Sequence, residues 1–211
     1  MAKASSSLSV ANLSAVRGES RLFDGLSFEI QPGQILFIQG RNGCGKSSLL
    51  YILAGLRLPE TGTVCWDGTD IQQLGKQYHS QLCFVGHTNG VKADLTVWEN
   101  IEGFQKLKPG SSEAIQATID ALGLAGYEDS LAYQLSSGQQ RRLALSRLML
   151  SNQPLWILDE PFTSLDKHSI RLFESLVSSH SQNGGLVIVT SHQALDLTGT
   201  EAIHLHLEQA A

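Results

Sequence analysis

Cysteine is scarce in this sequence, and no apolar run is long enough to cross a membrane. The three cysteines, Cys44, Cys65 and Cys83, form an odd set without CxxC spacing, which is not the pattern of a disulfide framework or a zinc site. The richest apolar run, residues 49–58, is interrupted by a glycine and an arginine, whereas a membrane-spanning helix needs about 20 apolar residues. Residues 1–10 lack the apolar stretch of a secretory signal peptide. We therefore expect a protein of a reducing compartment, with the cytosol as the default.

Excess positive charge and internal repeats are also missing. The net charge of -5 and the isoelectric point near 5.8 argue against a surface that binds nucleic acid or an anionic membrane. The length of 211 residues fits one large α/β domain, and a chain of this size can bury roughly 70% of its unfolded surface without disulfides. We expect a single domain over residues 1–211 and no nucleic-acid partner.

Four short apolar runs predict buried β-strands, at residues 35–38, 82–85, 155–158 and 186–189. They are apolar on both faces and are separated by helical stretches, which indicates a parallel sheet covered by helices. The segment from Leu8 to Glu29 is expected to form antiparallel strands. A helix is predicted to follow the first run from about Gly45, with apolar residues at helical spacing, namely Leu49, Leu50, Leu53 and Leu56.

The middle of the chain, from about Thr96 to Leu150, has a mostly helical pattern. Thr96 and Glu99 have the spacing of a capping box, and residues 108–111 (Lys-Pro-Gly-Ser) predict a helix break. We expect a helical subdomain at about residues 88–150, inserted between two parts of the α/β core.

A phosphate-binding loop is predicted between the first buried strand and its helix. It matches the pattern GxxxxGK[ST] in full, and with the residue that follows it comprises Gly40, Arg41, Asn42, Gly43, Cys44, Gly45, Lys46, Ser47 and Ser48. Its backbone N–H groups and the helix N-terminus favour phosphate oxygens. Lys46 is expected to reach the β- and γ-phosphates of ATP, and the Ser47 hydroxyl to ligate Mg²⁺. This loop alone leaves kinases, small GTPases and motor ATPases open.

Two acidic residues follow the third apolar run. Asp159 stands at the carboxyl end of a predicted buried strand, where an acid can hold Mg²⁺ or its water. Glu160, the next residue, is then the candidate general base that polarises the attacking water.

Residues 135–139, Leu-Ser-Ser-Gly-Gln, resemble the LSGGQ signature of the ABC ATPase family. A predicted helix follows, so Ser136, Ser137, Gly138 and Gln139 lie at a helix N-terminus that favours an anion. The resemblance implies that this anion is the γ-phosphate of ATP bound to a second copy of the chain. Residues 164–166 resemble the family's D-loop, which contacts the partner, and His192 resembles its γ-phosphate-sensing switch histidine.

The resemblance covers the chain from about Leu8 to His192 and implies both a fold and an assembly that hydrolyses ATP. The fold is a P-loop NTPase with a RecA-like core, an antiparallel β subdomain and an inserted helical subdomain. The assembly is a dimer of ATP-binding cassettes whose ATP hydrolysis is coupled to integral-membrane permease subunits. Arg141, Arg142 and Arg147 follow the signature, and we expect them to solvate their helix and to contact the partner chain.

Two positions depart from the family pattern. His87 stands where most members have a Gln that helps to ligate Mg²⁺ and water, and a neutral imidazole can also donate to or accept from a water. Arg17 stands where an aromatic residue stacks on adenine, and a guanidinium plane can stack on a base as well. Phe23 is a weaker candidate for that stacking.

Residues 86–87, 136–147 and 154–167 resemble one branch of the family, the haem-exporter ATP-binding subunits of cytochrome c maturation. This resemblance implies permease partners of that system and a peripheral position on the cytoplasmic face of the inner membrane. An exporter of another solute, such as a lipid, drug or metal, is the alternative, and a soluble cassette acting on DNA or ribosomes is disfavoured by length and charge. His204 and His206 are expected on the polar face of a terminal strand and not as haem ligands.

Overall fold

The computed structural model describes residues 6–105, 112–191 and 199–208. Its strands are β1 Leu8–Arg17, β2 Ser20–Ile30, β3 Gln34–Gln39, β4 Thr61–Trp66, β5 Thr69–Asp70, β6 Leu82–Val85, β7 Leu155–Asp159, β8 Leu186–Thr190 and β9 Glu201–His206. Its helices are α1 Lys46–Leu53, α2 Ile71–Leu74, α3 Lys76–His79, α4 Val97–Gln105, α5 Ser112–Ala121, α6 Ser137–Leu150 and α7 Lys167–Gln182, with a 3₁₀ turn at Ala132–Gln134.

The central sheet is parallel and has the strand order β6-β7-β8-β3-β9. All four strands predicted from apolar runs are present, as β3, β6, β7 and β8. Strands β7 and β3 both run parallel to β8, which lies between them, so the segments that leave β7 and β3 emerge at the same edge of the sheet. In open parallel sheets, ligands bind at this carboxyl edge.

A second sheet is antiparallel, with the order β2-β1-β4-β5. Strands β1 and β2 pair over almost their whole length, from Leu8 opposite Ile30 to Arg17 opposite Ser20, which confirms the antiparallel prediction for residues 8–29. Strands β4 and β5 were not predicted.

The core forms two clusters, one on each face of the parallel sheet. Along β3, Leu36 and Ile38 belong to the cluster shared with α1 and the antiparallel sheet. Ile35 and Phe37 belong to the cluster shared with α4, α5, α6 and α7. Because successive side chains point to opposite faces of a strand, both faces of β3 need apolar residues, and this explains the continuous apolar run.

The described part of the segment between β6 and β7 contains helices α4, α5 and α6. Thr96 N donates to Glu99 Oε2 at 2.8 Å and Glu99 N donates to Thr96 Oγ1 at 3.1 Å, which confirms the capping box. The predicted break at residues 108–111 lies outside the described residues, and the bounds of a subdomain at 88–150 stay a prediction. Leu56 was wrongly assigned to the first helix, because α1 ends at Leu53 and Leu56 is exposed.

Within the described ranges, none of the helices has the length and apolar character needed to span a membrane.

Candidate functional site

The predicted phosphate loop connects β3 to α1, as the sequence pattern requires. Gly45 precedes the first turn of α1 with a φ of 107°, a backbone conformation that favours glycine. Lys46 begins the helix, and its Nζ donates to the carbonyl oxygens of Gly40 at 2.8 Å and Arg41 at 3.3 Å. The lysine therefore lies across its own loop, within reach of a group that the loop would enclose.

Two glycines of the loop are required by close packing. A Cβ at Gly40 would lie 2.5 Å from Leu207 O, and a Cβ at Gly45 would lie 2.9 Å from Leu22 Cβ. Cys44 is buried beneath the loop, next to Gly40. The phosphate loop thus packs closely against β2 and the end of β9. This packing restricts the backbone conformation of the loop.

A cavity of about 450 Å³ joins the loop to the acidic end of β7. Leu22 and Thr163, which the sequence did not suggest, contribute to its wall. The predicted site residues that line it are Arg17, Asn42, Gly43, Gly45, Lys46, Ser47, Ser48, His87, Asp159 and Glu160. The structure therefore brings together the phosphate loop, the acid pair and both residues that depart from the family pattern.

Phe23 is wrong as a stacking candidate. It is only 2% exposed and belongs to the core between the two sheets, whereas Arg17 is exposed and lines the cavity. Arg17 stays the predicted base-stacking residue.

The acid pair stands at the end of β7 with its orientation fixed by hydrogen bonds. Asp159 is 2% exposed, and Thr190 of the neighbouring strand donates from Oγ1 to Asp159 Oδ1 at 2.7 Å. The next residue, Glu160, adopts a φ of 47°, which is uncommon for a residue other than glycine. Its N–H donates to the same Thr190 oxygen at 2.9 Å.

Arg141 on α6 is buried, contrary to the expectation that it solvates its helix. It is 4% exposed, and burial lowers the pKa of its guanidinium while the charge of Asp159 raises it. A buried guanidinium needs acceptors for its five N–H groups. Arg141 finds five, at Asp159 O, Glu160 O, Pro161 O, Gly86 O and Asn89 Oδ1.

Arg147 was also wrongly expected to solvate the helix. Its guanidinium lies 4.5 Å from the centre of the Phe104 ring, and Nη2 donates to Asn89 O at 2.8 Å. Arg147 and Arg141 therefore both fasten the segment that follows β6, the segment that carries His87, to helix α6. His87 itself is exposed towards the cavity.

The signature residues form the first turn of α6, which begins three residues earlier than predicted. Ser136 caps the helix by accepting from Gln139 N at 3.3 Å, and Ser136 N donates to Gln139 Oε1 at 2.9 Å. Ser136 and Ser137 are exposed, and none of residues 136–139 lines the cavity. The signature thus lies outside the cavity that contains the phosphate loop of its own chain.

The predicted D-loop connects the acid pair to α7. Asp166 caps α7 by accepting from Ser169 N at 2.8 Å, and this bond lowers the pKa of its carboxyl. A Cβ added to Gly138 would meet Ser164 O at 3.0 Å. The signature turn and the D-loop are therefore in close contact within one chain.

Three predicted histidines differ in their outcome. His192 lies outside the described residues. His204 and His206 are exposed on β9, as expected for the polar face of a terminal strand, and His204 stacks on Phe37.

Comparison with known proteins assigns the class. A family model described as "ABC transporter" matches residues 23–163, which include the phosphate loop, the signature and the acid pair. The chain belongs to the ABC transporter family, as one of its ATP-binding subunits.

Within that family, the chain is similar to curated proteins that share one description, cytochrome c biogenesis ATP-binding export protein CcmA. The protein from Vibrio vulnificus is 50% identical over 188 residues, covering 88% of this chain and 92% of that protein. The protein from Haemophilus influenzae is 44% identical over 200 residues, covering 94% of each. The protein from Nitrosomonas europaea is 43% identical over 202 residues, covering 95% of each.

Solved structures support the fold. An ABC transporter ATP-binding protein from Pyrococcus furiosus superposes with a TM-score of 0.79 at 19% identity, covering 95% of this chain and 97% of that one. An ATP-binding subunit of an ABC transporter superposes with a TM-score of 0.77 at 22% identity, covering 88% and 79%. The expected fold class, an ABC cassette with a parallel core and an antiparallel sheet, is confirmed.

Proposed function

We propose that this chain is the ATP-hydrolysing subunit of a membrane complex for cytochrome c biogenesis, coupling ATP hydrolysis to haem delivery. The observation that carries the proposal is the single cavity in which Lys46, Ser47, Asp159 and Glu160 meet. The similarity to cytochrome c biogenesis export proteins, at 50% identity over 88% of this chain, supports the role in cytochrome c biogenesis.

The donor groups in the cavity fit ATP with Mg²⁺. Mg²⁺ prefers hard oxygen ligands and is usually held by one or two carboxylates together with substrate phosphates. The Ser47 hydroxyl and the Asp159 carboxylate supply such oxygens. The described residues contain no cluster of three or more His, Cys, Asp or Glu side chains that could hold a metal, so the phosphates would complete the coordination. Bound there, Mg²⁺ would neutralise charge that develops on the phosphates.

The residues of the cavity divide the remaining work of hydrolysis. Lys46 and the backbone N–H groups of the loop would bind the β- and γ-phosphates, and the positive end of the α1 dipole would favour their charge. Glu160 would accept the proton of the attacking water. His87, which lines the same cavity, would orient that water from the opposite segment, and His192 would sense the γ-phosphate.

A second copy of the chain would complete each site. Ser136 and Ser137 are exposed at the N-terminus of α6 but do not line their own cavity. If two chains associate face to face, the signature of each reaches the γ-phosphate in the other. ATP would then favour the closed dimer because the nucleotide contacts both chains only in that state.

The permease subunits would dock on a cleft of about 820 Å³ between β6, α4 and α6. The cleft is lined by apolar groups such as Phe84, Phe104 and Leu150 together with Arg147, and Lys76 would donate to a carboxylate or a carbonyl oxygen of the partner. Arg147 also holds the segment that carries His87, so a partner in the cleft would be linked to the ATP site. This docking would place the chain on the cytoplasmic face of the membrane as a peripheral subunit.

The test is haem attachment in cells that lack the gene for this chain. The wild type is expected to restore covalent haem staining of membrane c-type cytochromes, and Lys46→Ala is expected to fail at equal protein level. Arg171→Ala, which removes an exposed cation from α7, serves as the control and should restore staining. Staining that never depends on the gene would reject the haem branch and favour an exporter of another solute.

A further inference from the structure

Thr190 is a buried polar residue that the family pattern does not assign to the site. It ends β8, directly opposite Asp159 in the parallel ladder, and its side chain has 0% exposure. Its hydroxyl makes two hydrogen bonds to the acid pair. It donates to Asp159 Oδ1 at 2.7 Å and accepts from Glu160 N at 2.9 Å.

The two bonds use the hydroxyl in different ways. A threonine hydroxyl has one hydrogen and two acceptor positions, so its single hydrogen is committed to Asp159 Oδ1. A bond to one carboxylate oxygen also fixes the direction of the other. The orientation of the Asp159 carboxylate is therefore set by the strand beside it.

The second bond acts on a backbone in an uncommon conformation. Glu160 has a φ of 47°, and such a conformation persists where the surroundings over-determine it. The N–H of Glu160 is held by Thr190 from one side, and the carbonyl oxygen of Glu160 is held by Arg141 from the other. The direction in which the Glu160 side chain leaves the strand thus depends on Thr190.

We propose that Thr190 is a positioning residue that sets, through one hydroxyl, both the metal-binding carboxylate and the general base. This inference rests on the function proposed above for Asp159 and Glu160. A residue that only filled the core could equally be valine, which has the same shape as threonine without the hydroxyl. The proposal instead requires the hydroxyl itself.

The test compares Thr190→Val with Thr190→Ser in the purified full-length chain. Mn²⁺ replaces Mg²⁺ as a spectroscopic probe, and its binding to the ATP complex is measured by electron paramagnetic resonance. Losing an outer partner of a metal ligand typically weakens metal affinity about 10- to 100-fold, so Thr190→Val should weaken Mn²⁺ binding by about 10-fold or more. Thr190→Ser, which keeps the hydroxyl, should remain within about 3-fold of the wild type.

Binding of a fluorescent ATP analogue without metal separates this effect from general damage. It should be equal in the wild type and both variants, because the phosphate loop is unchanged. If Thr190→Val does not fold, Thr190→Ala replaces it as the variant without a hydroxyl.

Wild-type Mn²⁺ affinity in the hydroxyl-free variant, or equal losses in the serine and valine variants, would overturn the role of Thr190 alone. Failure of the wild type to bind the ATP analogue would overturn the proposed function and this inference together.

Discussion

Arg141 donates a 2.7 Å hydrogen bond from Nη2 to the main-chain oxygen of Glu160. This bond joins the helix that carries the signature to the turn that carries the acid pair. The same guanidinium reaches Gly86 O and Asn89 Oδ1 on the segment with His87. One side chain therefore connects three segments that are distant in sequence: helix α6, the turn after β7 and the segment after β6.

Replacing Arg141 by Gln is expected to lower both stability and turnover. Buried acceptors that lose their donor cost about 1–3 kcal/mol each, and because the Gln amide can rescue only part of them, the unfolding free energy should fall by roughly 3 kcal/mol. The rate at saturating ATP should fall more than the affinity for ATP, because the phosphate loop is not touched. Urea unfolding and steady-state hydrolysis measure the two effects.

Arg142→Gln is the matched control for Arg141→Gln. Arg142 is the next residue of the same helix but is only partly buried, so its loss should leave the free energy of unfolding near the wild type. Equal effects of the two substitutions would contradict the special role of Arg141.

Asn100 is expected to be required for the turn that precedes α4. Its side chain is 3% exposed, accepts from Lys92 N at 2.8 Å, and donates to Lys92 O, Leu95 O and Thr96 O. Asn100→Ala would remove the acceptor of Lys92 N and one of the donors to each of the three carbonyl oxygens, which keep a backbone donor, at a cost of about 0.5–1.5 kcal/mol per hydrogen bond lost. Thermal unfolding should show a lowered melting temperature, whereas Glu102→Ala, on the exposed face of the same helix, should show little change.

The phosphate loop and the acid pair could be predicted from sequence because each is a contiguous stretch at a strand end. The backbone conformation of each stretch depends on residues that are close in sequence, so a pattern such as GxxxxGK[ST] is enough to predict it. Thr190 and Arg141, in contrast, act through contacts with residues that are distant in sequence. The partners of Thr190 are 30 and 31 positions away, and those of Arg141 are 18 to 55 positions away. Such contacts form only after β8 pairs with β7 and helix α6 packs beside the ends of β6 and β7, and no local sequence pattern indicates them.

The same reasoning explains the wrong predictions. Phe23 and Arg147 were judged by residue type, which favours a ring for stacking and a solvated surface for arginine. In the fold, Phe23 fills the space under the loop beside Gly45, and Arg147 is covered by Phe104 and the segment after β6. The burial of a side chain depends on which elements pack against it, and local residue patterns do not identify those elements.

Stability at low pH is expected to depend on Asp166. The Ser169 N–H that its carboxylate accepts lowers the pKa of Asp166 in the folded state, so the stability that this charge contributes is fully present above the pKa of the unfolded chain, about 3.9. That contribution is lost as the pH falls through the lower folded pKa. Asp166→Asn keeps an acceptor for the cap but does not titrate.

Urea unfolding of both proteins between pH 6 and pH 2.5 checks the prediction for Asp166. The wild type should lose more stability than Asp166→Asn over the acidic part of this range, and the gap should open below about pH 4. Parallel curves for the two proteins would show that the cap bond does not distinguish the charged from the neutral carboxyl.

Gly138→Ala is expected to separate ATP binding from dimer formation. Its added methyl group would meet Ser164 O at 3.0 Å, so the signature turn and the D-loop would have to move apart. Both lie outside the nucleotide cavity of their own chain, and ATP affinity of the single chain should therefore be unchanged. Light scattering with ATP should detect a dimer for Glu160→Gln, in which hydrolysis is blocked, and a monomer when Gly138→Ala is added. A dimer of normal affinity in the double variant would mean that the signature does not contact the partner, because a shift of this turn would then have had no effect on association.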